Sequence, residues 1–158
     1  MQIKGEYEVD ILIQNMFHSY NIITKNHNIV TNEGLNFILQ ILAQKTDKQL
    51  GEVYVGTNTT EASSLDNKES FSSSAIKIPS TDRTVENNKL TYIIKTSGDK
   101  INGTSEIGIW SSDDNIVITR DVHDRYDVPD SAIITIKYSL TLTNKETIEA
   151  EEEENNND

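Results

Sequence analysis

The chain has 158 residues, and its 14 Lys and Arg stand against 26 Asp and Glu for a formal net charge of -12. That length suits one domain with a sizeable core, and a scattered, outnumbered set of basic residues argues against nucleic acid or an anionic membrane surface as the main partner. The absence of cysteine excludes disulfides, thiolate metal ligands and Cys nucleophiles, and no run of about 18 apolar residues is present to span a membrane.

The first segment, MQIKGEYEVDILIQ, alternates instead of presenting the apolar block of a signal peptide. Tyr7, Val9, Ile11 and Ile13 fall on one face, and Glu8 and Asp10 on the other. This period of two predicts a half-buried strand over Tyr7–Ile13. A second strand is expected over Phe17–Ile23, after a break at Gln14-Asn15.

A helix follows, expected over residues 32–44. Thr31 is its N-cap, with a hydroxyl placed to accept the backbone N–H of Gly34. Val30 and Leu35 have the spacing of a hydrophobic staple, and Glu33 sits in the first turn where the helix dipole favours an anion. Leu35, Ile38, Leu39 and Leu42 recur at helical spacing, and Phe37 and Ile41 widen the stripe. A stripe this wide needs cover on more than one side. Either the domain supplies it, or Phe37 and Ile41 meet another subunit. Lys45 and Lys48 are expected to close the helix with favourable sign.

Beyond the helix, Glu52–Val55 reads as a short strand ending at Gly56. Residues 57–70, TNTTEASSLDNKES, form a long polar loop, of a kind that is usually functional or mobile. Phe71–Ile78 is a weaker strand stopped by Pro79. Arg83–Glu86 and Leu90–Thr96 flank Asn87-Asn88, a hairpin turn because Asn tolerates positive φ. Ile107–Trp110 joins Ile116–Thr119 through SSDDN. Ala132–Thr143 is the strongest strand, with Ile134, Ile136, Tyr138, Leu140 and Leu142 on one face. Strands separated by turns predict a mainly β chain, an antiparallel β-sandwich with one amphipathic α-helix near the N-terminus. It forms a single domain over residues 1–145. Residues 146–158, ETIEAEEEENNND, add seven acidic side chains and no basic one. They leave the body at a formal -5 and form an acidic tail, disordered unless a partner orders it.

The chain offers little to catalysis. Residues 98–105, GDKINGTS, have the glycine spacing of a phosphate loop, but Thr104 stands where the lysine must be. His18, His27 and His123 lack the spacing of a metal pair. Asp121, His123 and Asp124 lie together, and the bland reading is a solvated loop. Asp113, Asp114 and Asn115 lack the alternating ligands and closing Glu of a calcium loop, and no Ser sits in a nucleophile elbow. Trp110 could offer a sugar-stacking platform, with Tyr126 as a second ring, but its alternation with Ile107 and Ile109 points to the core. No catalytic residue, metal ligand or cofactor is assigned. Glu106 is placed to pair with Arg120 across the Ser111–Asn115 turn and so help fix strand register.

Four segments in order carry a resemblance: HNIVTNEGLNFILQILA from His27, VYVGTNTTEASSLDNKES from Val53, SEIGIWSSDDNIVITRDV from Ser105, and SAIITIKYSLTLT from Ser131. The set resembles small structural proteins of tailed bacteriophages and prophages. In these a T-N-x-G-L segment opens a helix, a G-T-x-T-T loop follows, and an E-I-G-hydrophobic-aromatic strand leads through an acidic turn to Arg-Asp. This chain departs at Asn58, where a small residue is expected. The resemblance covers roughly residues 20–143. It implies a non-enzymatic virion component of the tail, baseplate or fibre-attachment region, assembled in the host cytoplasm. Its partners would be other virion proteins and copies of itself, with neither nucleic acid nor membrane. The alternative is a capsid decoration or head-fibre protein; a receptor- or carbohydrate-binding module on a host-surface glycan is a second class, and an enzyme a third. Candidate structural and interaction residues are Thr31, Gly34, Phe37, Ile41, Glu106, Trp110 and Arg120.

Overall fold

The computed structural model describes residues 2–14 and 19–143; up to residue 28 the description is of the backbone alone. The strands are β1 (Gln2–Gln14), β2 (Ser19–Val30), β3 (Leu50–Gly56), β4 (Ile76–Ile78), β5 (Asp82–Glu86), β6 (Lys89–Ser97), β7 (Glu106–Ser111), β8 (Thr119–Val122) and β9 (Ile133–Thr143). Two helices, α1 (Asn32–Leu42) and the single turn α2 (Gly98–Ile101), and a 3-10 turn at Lys68–Ser70 complete the set. The chain is mainly β, with two antiparallel sheets and a short helix.

One sheet has the order β4-β3-β7-β8, the other β2-β1-β9-β6-β5. Among the described residues they join where Ile29 pairs with Arg120 and Val30 with Thr119. Both contribute to one core cluster. Val53, Val55, Ile107 and Ile109 come from the first sheet, Tyr92, Ile94, Ile134, Ile136 and Tyr138 from the second, and Phe37 from α1. The hydroxyls of Thr119 and Tyr138 are hydrogen-bonded across this core. On β9 the alternation from Ile134 to Leu140 is buried as expected, while Leu142 near the strand end is exposed.

Several boundaries differ from the sequence reading. The expected strand Tyr7–Ile13, and residues 19–23 of the expected strand Phe17–Ile23, are parts of longer paired strands, because polar residues also pair: Glu8 stands opposite Lys25 and Glu6 opposite His27. Met1, residues 15–18 and residues 144–158, including the acidic tail, lie outside the described residues, as do the side chains of Tyr7, Val9, Ile11 and Ile13.

The helix ends at Leu42, not at residue 44. Gln44 takes φ +55, and the chain turns left. Its N–H donates to the Ile41 carbonyl at 3.1 Å, and the Lys45 N–H to the Gln40 carbonyl at 2.9 Å, a Schellman closure built on glutamine instead of glycine. No basic residue falls in the last helical turn, so Lys45 and Lys48 lie past it.

Of Phe71–Ile78 only Ile76–Ile78 is strand. The serines before it are engaged locally, with Ser72 Oγ accepting the Thr57 N–H at 3.0 Å. Of Ile116–Thr119 only Thr119 lies within β8; Val117 makes an isolated bridge with Trp110, and the Thr119 hydroxyl takes the Ile109 N–H at 3.0 Å in place of a carbonyl. Residues 98–101, expected as loop, close one helical turn, with the Asn102 N–H donating to the Gly98 carbonyl at 2.8 Å. Asn87 and Asn88, at φ +49 and +63, form the expected two-residue hairpin between Glu86 and Lys89.

Candidate functional site

Two polar constructions hold the surface of the β7–β8 sheet. The first is the start of α1. Thr31 is fully buried, and its hydroxyl accepts the Gly34 N–H at 2.9 Å while donating to the Val117 carbonyl. The Thr31 N–H donates to the Ile118 carbonyl at 2.9 Å. Glu33 Oε1 accepts the Val117 N–H at 3.0 Å. At Gly34 a Cβ would stand 2.6 Å from both the Cα and the carbonyl oxygen of Ile118, so only glycine lets the helix come this close. The T-N-E-G segment thus clamps the helix start onto residues 117–118.

The second construction lies on the outer face of the same sheet. Glu106 and Arg120 project there from β7 and β8, both fully buried. Arg120 Nε and Nη2 donate to Glu106 Oε2 at 3.2 and 3.0 Å, and Nη1 donates to Asp66 Oδ2 at 3.0 Å. The other oxygen, Glu106 Oε1, accepts two backbone N–H groups, from Asn58 at 3.1 Å and Ser72 at 2.7 Å. These two residues are the feet of the polar loop, and Asp66 is in its span. Asp66 Oδ2 also accepts the Ser63 N–H at 2.8 Å. Asn58 Nδ2 closes the loop internally on the Ser70 carbonyl at 2.8 Å. The loop is therefore a closed, anchored Ω-type excursion rather than a free strap. Its register requires Gly56, where a Cβ would stand 2.2 Å from Glu106 Oε1. Burying an ion pair costs desolvation, which is offset only when the remaining lone pairs are satisfied; here the two loop amides do so.

The expected Glu106–Arg120 pairing is present, with a larger role than register: it organises residues 58–72. Asp66, Asn58 and Gly56 complete the site; the sequence marks Asn58 only as a departure from the resemblance and Gly56 only as a strand end, and assigns none of the three a role here. The G-T-x-T-T segment is the sequence signal there.

Trp110 is 4% exposed. Its ring stacks on Tyr54 at 4.0 Å and meets Phe71 edge-on at 5.2 Å. It belongs to a satellite cluster under the anchored loop and presents no open platform. Phe37 is buried and Ile41 half-buried against the core, so the two residues offered to another subunit face inward. Leu35, Leu39 and Leu42, expected to form the core stripe, are exposed. Ile38 of the expected stripe does pack against the core, and the domain itself covers Phe37 and Ile41: the deep contact at Gly34 with Ile118 turns the Gly34–Phe37–Ile41 side to the sheet.

Among the described residues, Asp121, His123 and Asp124 form no group that could hold a metal ion. His123 Nδ1 lies 2.7 Å from the Asp124 carbonyl, and its ring tilts on Tyr126 at 4.4 Å. Burial, opposed by the nearby carboxylates, pulls its pKa below the ordinary imidazole value. Asp113, Asp114 and Asn115 form a hairpin turn, with Asp114 at φ +61 and the Ser111 hydroxyl donating to Asp113 Oδ1 at 2.6 Å. That bond holds the Asp113 carboxyl below its usual range. Lys77 pairs with Asp114 at 2.9 Å. Among the described residues no three His, Asp or Glu side chains are grouped to hold a metal ion, and no helix is long and apolar enough to cross a membrane.

The chain matches no protein-family model, no curated protein and no solved structure.

Proposed function

We propose that this chain is a non-enzymatic structural component of a tailed-phage particle, acting in tail, baseplate or fibre attachment through contacts with other virion proteins and with copies of itself. One observation carries the reading. The motif segments behind the resemblance do not sit apart: Thr31, Glu33 and Gly34 close on Val117 and Ile118, while Gly56, Asn58 and Asp66 close on Glu106 and Arg120. Segments that interlock in space describe one structural unit, and that supports treating their shared order as a signature. The supporting architecture is read as an antiparallel β-sandwich, its two sheets sharing one core. An anchored polar loop and an acidic body suit a part held among neighbours.

The test is the composition of purified particles from the phage or induced prophage that encodes the chain. Mass spectrometry is expected to find it at a stoichiometric copy number, and cryo-EM to place it in the tail, baseplate or fibre attachment. Absence from intact particles overturns the proposal, and density on the capsid surface replaces the site with a decoration or head-fibre position.

A further inference from the structure

Asn102-Gly103 is the one Asn-Gly step in the sequence. Such a step is prone to deamidation, because glycine places no side chain in the way of its own backbone nitrogen. That nitrogen, its proton lost to hydroxide, attacks Asn102 Cγ. The new C–N bond closes a succinimide ring as the Cγ–Nδ2 bond breaks and ammonia leaves. Water then opens the ring at either carbonyl and yields aspartate or isoaspartate.

The fold presents this step to water but withholds the reacting geometry. Asn102 is exposed and Gly103 buried behind it. The two form the corner of a turn that the Thr104 N–H closes on the Ile101 carbonyl at 3.0 Å. Asn102 at φ -55 and ψ 130 and Gly103 at φ +81 give it type II geometry. Ring closure needs Cβ and the Gly103 nitrogen eclipsed about the Cα–C bond, and this ψ holds them well apart. One segment, residues 125–128, keeps the turn in place. The Gly103 N–H donates to the Tyr126 carbonyl at 2.8 Å, which engages the attacking nitrogen, and the Tyr126 N–H returns to the Thr104 carbonyl at 3.0 Å. Asn102 Oδ1 accepts the Val128 N–H at 3.1 Å, which engages the amide under attack. Arg125 lies over Gly103, where a Cβ would stand 3.0 Å from its Nη2.

We propose that Asn102 is a modification site gated by residues 125–128: it deamidates when that segment lifts and frees the Gly103 nitrogen. Conversion is one-way. Isoaspartate inserts a methylene into the main chain of a turn whose spacing is fixed by the Ile101–Thr104 bond, and either product adds a carboxylate to a chain already at -12. The turn therefore does not close around isoaspartate as it closes around asparagine. This inference does not depend on the proposed virion role.

The test ages the full-length protein in mildly alkaline buffer, native and in denaturing urea. Peptide mapping with enzymatic methylation of isoaspartate follows residue 102. Native conversion is expected to be slower than conversion in urea by about tenfold or more, because the segment must first open. Amide exchange at Gly103 reports the same opening, since the exchanging proton sits on the attacking nitrogen. R125A, which uncovers Gly103, is expected to speed exchange and deamidation by the same factor. Should R125A fail to fold, urea below the unfolding transition makes the same comparison in the wild-type chain. Equal rates in native buffer and in urea, an Asn102 that stays intact in urea, or faster Gly103 exchange without faster deamidation overturns the proposal.

Discussion

Arg120 meets Glu106 side-on, with Nε and Nη2 both on the single oxygen Oε2 at 3.2 and 3.0 Å, which frees Oε1 for the amides of Asn58 and Ser72. One carboxylate thereby joins two strands to both feet of a loop. Removing Arg120 strands a buried anion, at a cost of about 3–5 kcal/mol. R120M is expected to lower Tm by on the order of 10 °C for a chain of this size, read by calorimetry. R120M/E106Q recovers part of the loss, because the uncompensated charge is gone. Limited proteolysis of R120M is expected to cut within residues 57–71 before other sites; a wild-type cleavage pattern would count against the anchoring role.

Gly34→Ala tests the helix clamp. In an exposed helix interior the change gains up to about 1 kcal/mol of propensity. Here the added methyl meets Ile118 backbone at 2.6 Å, and backbone cannot yield as a flexible side-chain end can. We expect a net loss of about 1–3 kcal/mol in urea unfolding. T31V, which keeps shape but loses the cap and the bond to the Val117 carbonyl, is expected to cost about 1–2 kcal/mol.

Gln44→Gly is expected to stabilise. The residue stands at φ +55 in the closure of α1, a conformation costly to side chains bearing Cβ and free to glycine. A gain of about 1 kcal/mol in the same urea experiment is the prediction.

The tyrosines set an alkaline limit. Burial pushes Tyr92 up to about 12 against the opposing pull of Arg83, and burial also raises Tyr138. Both phenols are neutral in folded and unfolded states below about pH 10, so their contribution is fully present there. Above it the unfolded chain ionises first, and stability falls as pH rises toward the folded values. Phenolate absorbance of these two residues is expected to appear together with loss of the β-sheet dichroism, not before it. Among the described residues the Tyr92 hydroxyl is buried without a hydrogen-bond partner. Y92F is therefore expected to match or exceed wild-type stability by up to about 1 kcal/mol at neutral pH and to show a shallower alkaline decline.

The sequence alone determined what is local. Alternation located the strands from Leu90 and from Ala132, because side-chain period follows directly from strand geometry. Thr31, Glu33 and Gly34 announced the start of a helix through capping chemistry, and Asn87-Asn88 announced a turn through its tolerance of positive φ. The pairing of Glu106 with Arg120 was also legible, since neighbouring strands bring such residues within reach. Tertiary structure decided the rest. Which side of α1 faces inward depends on Gly34 meeting Ile118, a residue 84 positions away, and hydropathy alone favoured the leucine side that the fold leaves open. Trp110 was assigned to the core by alternation, but only the folded loop supplied Phe71 and Lys68 to cover it. The polar loop looked free because its composition is hydrophilic. It is fixed because one buried carboxylate satisfies its two ends, and no linear pattern records a meeting of residues 58, 66, 72, 106 and 120.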